Sequence, residues 1–91
     1  MKRFEGSPAP WRINGVDYHD YGLIDAEGGE IMLLKAECEQ DDRNATLIAA
    51  APDLLEALQE LVFLYEHDEG CRELTEYKRA KEAISKALGE E

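Results

Sequence analysis

The first third of the chain alternates apolar and polar residues in short runs, which is the period typical of β-strands. We expect strands over about 11–14, 20–25 and 30–36. Asn14-Gly15 favours a tight turn because both residues tolerate positive φ, and Ala26–Gly29 forms a second turn. Three strands joined by short turns predict an antiparallel meander.

The rest of the chain carries apolar residues at helical spacing. This spacing predicts a short helix over 43–50, followed by two longer antiparallel helices over 52–66 and 72–88. Pro52 separates the first two, because proline lacks the N–H donor that a helix interior needs and suits the first position of a helix instead. Two helices packed on a small sheet make an α+β fold.

The helix predicted over 52–66 has one apolar and one polar arc. The apolar arc, which we expect to be buried, contains Leu54, Leu55, Leu58, Leu61, Val62 and Tyr65. Phe63 is the exception, because it lies near the centre of the polar arc, with Leu64 on its flank. An aromatic side chain there indicates either a second packing partner or an interface.

A chain of 91 residues is long enough for one domain. We expect a flexible leader over 1–10, where two prolines interrupt any periodicity, and a single α+β domain over 11–89. No apolar stretch approaches the roughly 20 residues of a membrane span. The basic start of the chain has no apolar segment behind it, so we expect no signal peptide and a cytoplasmic location.

The charge is unusual, since 21 acidic and 10 basic side chains give a net charge of −11. The central residues 17–73 carry sixteen acidic and three basic groups, a net charge of −13. A protein this acidic is repelled by nucleic acid and anionic membranes and is attracted to basic surfaces. Solubility alone is the alternative explanation for such a surface.

Three segments carry a family resemblance: Pro10-Trp11-Arg12, Leu23–Gly28, and the block NATLIAAAPDLLEAL over Asn44–Leu58. In this order, the chain resembles a large group of small phage and prophage proteins, and the resemblance covers about residues 10–89. The resemblance implies a protein made in an infected or lysogenic bacterial cell. It implies no catalytic or binding residue.

Two clusters contain potential metal ligands or nucleophiles. Asp17-Tyr18-His19-Asp20 offers alternating ligands in a strand, and Glu66–Cys71 offers carboxylates, an imidazole and a thiol. Neither matches a standard zinc spacing, and we favour a polar turn for the first cluster and a solvated acidic loop for the second. A dyad of Cys71 with His67 or His19 stays open. The chain has no phosphate-binding glycine loop and no nucleophile elbow, so we expect no enzyme and no cofactor.

The function that these patterns favour is an interaction protein that binds and inhibits a host protein with a basic surface. A nucleic-acid-binding defence complex such as a CRISPR effector is a natural target, because acidic side chains mimic a phosphate backbone. We expect no direct contact of this chain with nucleic acid or membrane. The candidate partner-binding residues are Glu37, Glu39, Asp41, Asp42, Phe63, Glu66, Asp68 and Glu69.

Two alternatives belong to other classes. The first is a protein that sequesters a small ligand or metal in a concavity between sheet and helices, lined by Tyr18, His19, Tyr21 or Tyr65. The second is a structural homodimer built on Phe63 and Leu64, without an activity of its own.

Overall fold

A computed structural model describes residues 3–16 and 19–90. In chain order it contains strands β1 (Arg12–Val16), β2 (Asp20–Ile24) and β3 (Glu30–Lys35), helix α1 (Glu39–Glu66), a 3₁₀ turn (Cys71–Glu73) and helix α2 (Thr75–Leu88). The predicted α+β class and the three antiparallel strands are confirmed, with strand order β1-β2-β3.

The described residues fall into two compact units. The N-terminal unit comprises residues 5–53, and the C-terminal unit comprises residues 54–90 together with 3–4. Helix α1 contributes residues up to Asp53 to the first unit and residues from Leu54 onward to the second. The single domain over 11–89 stays a prediction.

The turn predicted at Asn14-Gly15 is wrong, because both residues lie inside β1. Ile13 pairs with Leu23 and Val16 pairs with Tyr21, so Asn14 and Gly15 together face only Gly22 on β2. This is a β-bulge, and Gly15 supplies the positive φ of 74° that it requires. The sequence correctly indicated a positive φ at Gly15, but we interpreted it as a turn between strands, whereas it belongs to a bulge within one strand.

The β2–β3 connection is a turn held by Asp25. Its Oδ1 accepts the backbone N–H groups of Glu27 at 2.8 Å and Gly29 at 2.9 Å, and Gly28 takes a φ of 85°. A short polar side chain that satisfies nearby backbone donors is a common way to close a hairpin. The turn predicted over Ala26–Gly29 is therefore confirmed.

The core of the N-terminal unit lies on β2 and the first half of α1. Leu23, Ile24 and Ala45 are buried. Residues of the predicted leader accept hydrogen bonds within this unit: the Trp11 indole N–H donates to Ser7 O, and the Ala26 N–H donates to Pro8 O. The flexibility of residues 1–10 stays a prediction.

The predicted break at Pro52 is wrong, because α1 is one helix of 28 residues that contains Pro52. The predicted helices over 43–50 and 52–66 are parts of it. The helix also begins at Glu39, four residues earlier than predicted, with Glu39, Asp41 and Asp42 in its first turn. Carboxylates stabilise a helix N-terminus, and one nucleus costs less than two. The carboxylates account for the earlier start of α1, and the single nucleus favours continuation through Pro52 despite the hydrogen bond that proline loses.

The helix predicted over 72–88 is observed as the 3₁₀ turn followed by α2. Gly89 ends α2 in the left-handed conformation, and its N–H donates to Lys86 O. Within the C-terminal unit, the Tyr77 hydroxyl donates to Glu66 Oε1 at 3.3 Å. Val62 and Tyr77, both 6% exposed, are its buried residues from α1 and α2.

Candidate interaction surfaces

Four of the predicted partner-binding carboxylates lie in the N-terminal unit, at and just before the start of α1. Glu37 pairs with Lys35 Nζ at 3.3 Å, and its other oxygen lies 4.0 Å from His19 Nδ1. This contact with Glu37 raises the pKa of Lys35, and the charge of Asp41 adds to the effect. Glu37 is therefore partly neutralised by its own neighbours.

Asp41 and Asp42 have structural roles in the same region. Asp41 Oδ2 accepts the backbone N–H of Glu37 at 3.0 Å, which fixes the entry into α1. Asp42 Oδ1 accepts the Tyr21 hydroxyl, so it joins β2 to the first turn of the helix. That hydrogen bond is the main cause of a raised pKa at Tyr21, followed by desolvation and the charges of Asp42 and Asp41.

Glu39 is the carboxylate of this group most available to a partner. Its side chain is 85% exposed, and it forms an ion pair with Arg43 one turn along the helix, at 4.0 Å and with a similarly exposed side chain. An exposed ion pair of this length contributes little and exchanges readily with water or another cation.

The other four predicted residues lie in the C-terminal unit, at the end of α1 and in the following loop. Asp68 Oδ1 accepts the Gly70 N–H at 3.0 Å, and Glu66 holds the Tyr77 hydroxyl, so both help to shape the helix connection. Glu69 is 93% exposed and lies 3.7 Å from Arg72. Glu69 is thus the counterpart of Glu39, a solvated carboxylate with only a surface ion pair.

Phe63 is half-exposed, at 51%, so packing within the described chain covers it only in part. Its ring meets His67 edge-on, with centroids 4.7 Å apart at 73°. It also lines a cavity of about 290 Å³ within the C-terminal unit. The cavity is lined by Val62, Phe63, Glu66, Lys81, Ile84 and Ser85. The sequence did not predict this set, because it joins two helices through residues far apart in the chain.

The predicted apolar arc of α1 is buried only in part. Val62 is 6% exposed, and Leu55 and Leu58 are intermediate, but Leu54 and Leu61 are 55% and 53% exposed. The described part of the chain therefore leaves half of this arc without a cover. The helical spacing identified the apolar face of the helix correctly, but fewer of its residues are buried than we expected.

Exposed apolar residues in and beside this arc have a regular spacing. We name as the α1 stripe the residues Leu54, Ala57, Leu61 and Leu64, all exposed. Their intervals of three, four and three residues are those of the a and d positions of a heptad repeat. This spacing is visible in the sequence, but it is the exposure of all four side chains in the structure that distinguishes them from a core arc.

The Cys71 thiol is a poor candidate for a nucleophile. Desolvation raises its pKa, and the nearby charge of Asp68 and a hydrogen bond to Asp68 raise it further. A reactive cysteine needs the opposite environment, one that stabilises the thiolate. Both Cys71 and the exposed Cys38 are free thiols.

Of the first predicted ligand cluster, Asp17 and Tyr18 lie outside the described residues. Within residues 3–16 and 19–90, no group of three or more His, Cys, Asp or Glu side chains is arranged to hold a metal ion. In the same part of the chain, no helix is long and apolar enough to cross a membrane.

The structure therefore places the eight predicted residues in two groups, one at each end of α1 and in different units. These elements define a small α+β protein with an acidic sequence and exposed apolar side chains. A family model described as Salmonella phage P22 protein Y8K6 matches residues 1–91. The chain belongs to this phage protein family, in agreement with the resemblance seen in the sequence. No curated protein and no solved structure matches it.

Proposed function

We propose that this phage protein is an interaction protein that binds a host protein with a basic surface and inhibits it. A nucleic-acid-binding defence complex is the target class that we favour. The observation that carries the proposal is the combination at the end of α1, where the half-exposed Phe63 lies a few residues from the fully solvated Glu69. An apolar anchor beside solvated carboxylates is the composition of a protein interface.

The two kinds of group have different roles in this proposal. Glu39 and Glu69 attract lysine and arginine side chains that otherwise hold phosphates, which speeds the encounter and favours basic partners. Phe63 supplies apolar burial, which determines how long the complex lasts. Occupation of a basic groove by this chain excludes nucleic acid from it, and this exclusion is the inhibitory step.

The test begins with affinity capture of the tagged protein from infected host cells, followed by mass spectrometry. The captured protein is then purified and titrated with wild-type protein and with the double variant Glu39→Gln/Glu69→Gln. We expect the double variant to bind several-fold more weakly at low salt, with a smaller loss near physiological salt because screening already weakens these contacts.

The matched control is Glu27→Gln/Glu82→Gln, which removes the same charge from two exposed positions outside both acidic groups. Equal losses in the two double variants would mean that only total charge matters, and no loss in either would overturn the proposal. A partner without a basic surface would overturn it as well.

The cavity beside Phe63 favours a second candidate, the binding of a small ligand. Its volume of about 290 Å³ is at the small end of known ligand pockets, and Glu66 and Lys81 place opposite charges on its wall. A bound ligand would raise the unfolding temperature in a thermal-shift screen of nucleotides and metabolites. The variant Ser85→Leu, which fills the cavity, should abolish any such shift.

A further inference from the structure

The α1 stripe is a second apolar surface, on another face of the helix from Phe63. At 100° per residue, Leu61 lies about 160° from Phe63 around the helix axis. Leu54, Leu61 and Leu64 are each more than half exposed. The stripe runs along eleven residues of a single helix, which matches the width and length of one docked helix.

The border of the stripe is acidic. Glu56 and Glu60 are exposed and lie one turn apart, on the side of the stripe that faces away from buried Val62. Among the described residues, neither carboxylate forms an ion pair with a basic side chain. The other border, formed by Leu58 and Tyr65, is apolar. One edge of the surface therefore attracts cations and the other attracts apolar groups.

We propose that the α1 stripe docks an amphipathic helix of the host partner that carries lysine or arginine beside its apolar positions. This inference rests on the proposed function and names the partner's structural element. Charge complementarity between the acidic border and a basic helix favours such a partner over a second copy of this chain. A second copy would bring its own Glu56 and Glu60, and a net charge of −11, to the same interface.

The stripe also specifies the apolar pattern of the partner. Ala57 lies between Leu54 and Leu61 and leaves a shallow gap between two large side chains. In helix packing, a large side chain of one helix fills such a gap on the other. The partner helix therefore presents leucine-like residues at heptad spacing, with one large side chain opposite Ala57.

The probe is a fluorescent helical peptide of about three heptads, with leucine at a and d and lysine at the flanking positions. A second peptide is identical except that glutamate replaces every lysine. Fluorescence anisotropy measures the binding of each to the purified protein at low and physiological salt. We expect the lysine peptide to bind, with weaker binding as salt rises, and the glutamate peptide not to bind.

The decisive variant is Leu61→Glu, which should weaken binding of the lysine peptide at least about tenfold. Its matched control is Leu33→Glu, the same substitution on β3 at a leucine that is 59% exposed. Circular dichroism checks that both variants fold. The double reversal Glu56→Lys/Glu60→Lys should exchange the preference, so that the glutamate peptide binds better than the lysine peptide.

Equal binding of the two peptides would overturn the inference, because the stripe would then be only generally apolar. A dimer in sedimentation that Leu61→Glu dissociates and that the lysine peptide does not displace would also overturn it, in favour of the homodimer. If Leu61→Glu retains the captured host protein while Glu39→Gln/Glu69→Gln loses it, the stripe inference fails and the proposed function stands.

Discussion

The hydrogen bond between Tyr21 and Asp42 shows how one pair of side chains joins the sheet to the helix in the N-terminal unit. Neither residue belongs to a recognisable motif, and 21 positions separate them in the chain. Sequence reasoning placed Asp42 among the binding residues because it belongs to an acidic run. In the structure its carboxylate accepts the Tyr21 hydroxyl, so we assign Asp42 a structural role within the N-terminal unit.

Tyr21→Phe should lower the stability of the protein at neutral pH by removing this hydrogen bond. The pKa of Tyr21 is raised above its ordinary value of 10.0, so the folded protein holds the phenolic proton more tightly than the unfolded chain does. The stabilisation is complete below that value and is lost as pH rises through the folded pKa. Unfolding temperatures of wild type and Tyr21→Phe should therefore differ near neutral pH, and the difference should shrink as the pH rises through the folded pKa of Tyr21, above 10.0.

The two cysteines should differ in reactivity. Cys38 is exposed, whereas Cys71 is partly buried and its pKa is raised by desolvation and by Asp68. We expect iodoacetamide to modify Cys38 several-fold faster than Cys71 near neutral pH. Mass spectrometry of peptides at timed intervals measures both rates. Faster modification of Cys71 would contradict this description and reopen the Cys71–His67 dyad.

Helix α1 shows the limit of local rules at the level of secondary structure. Alternation and helical spacing located the strands and most of the helical residues, because these signals come from which face is buried. Pro52 predicted a helix break because proline usually ends a helix, and Gly15 predicted a turn because Asn-Gly usually forms one. In the fold, the helix passes through Pro52 and β1 bulges at Gly15. Neighbouring residues stabilise the longer element in both places.

Pro52→Ala tests whether α1 is one helix. Alanine restores the backbone donor to the carbonyl of Ile48 and has the highest helix propensity, although it loses part of the packing of the buried proline ring. We expect a net gain in the free energy of unfolding of about 1 kcal/mol, measured by urea denaturation. A clear loss of stability would contradict this expectation and would mean that packing of the proline ring outweighs the restored hydrogen bond.

The sequence predicted part of the candidate interaction surfaces. The acidic runs and Phe63 are visible in the sequence as departures from an expected pattern, and Glu39, Glu69 and Phe63 are exposed in the structure. The α1 stripe was missed, because an apolar arc predicts burial and does not say what covers it. The exposure of Leu54 and Leu61 in the structure is what indicates an interface.

Charge governs the molecule as a whole. The protein has a net charge of −11, and its described ion pairs join only exposed side chains, which neutralise one another weakly. A folded chain concentrates this charge, and salt screens the resulting repulsion. The unfolding temperature should therefore rise between about 20 mM and about 300 mM sodium chloride, as measured by circular dichroism. A fall over this range would mean that the surface ion pairs outweigh the repulsion.

We propose that this acidic phage protein binds a basic host protein through solvated carboxylates and apolar anchors on and beside α1. The most direct test is the dissociation constant of the captured host protein, measured at low and physiological salt with wild type and Glu39→Gln/Glu69→Gln. We expect tighter binding at low salt and a several-fold loss in the variant, with Glu27→Gln/Glu82→Gln close to wild type. Binding that is independent of salt and equal in all three proteins would contradict it.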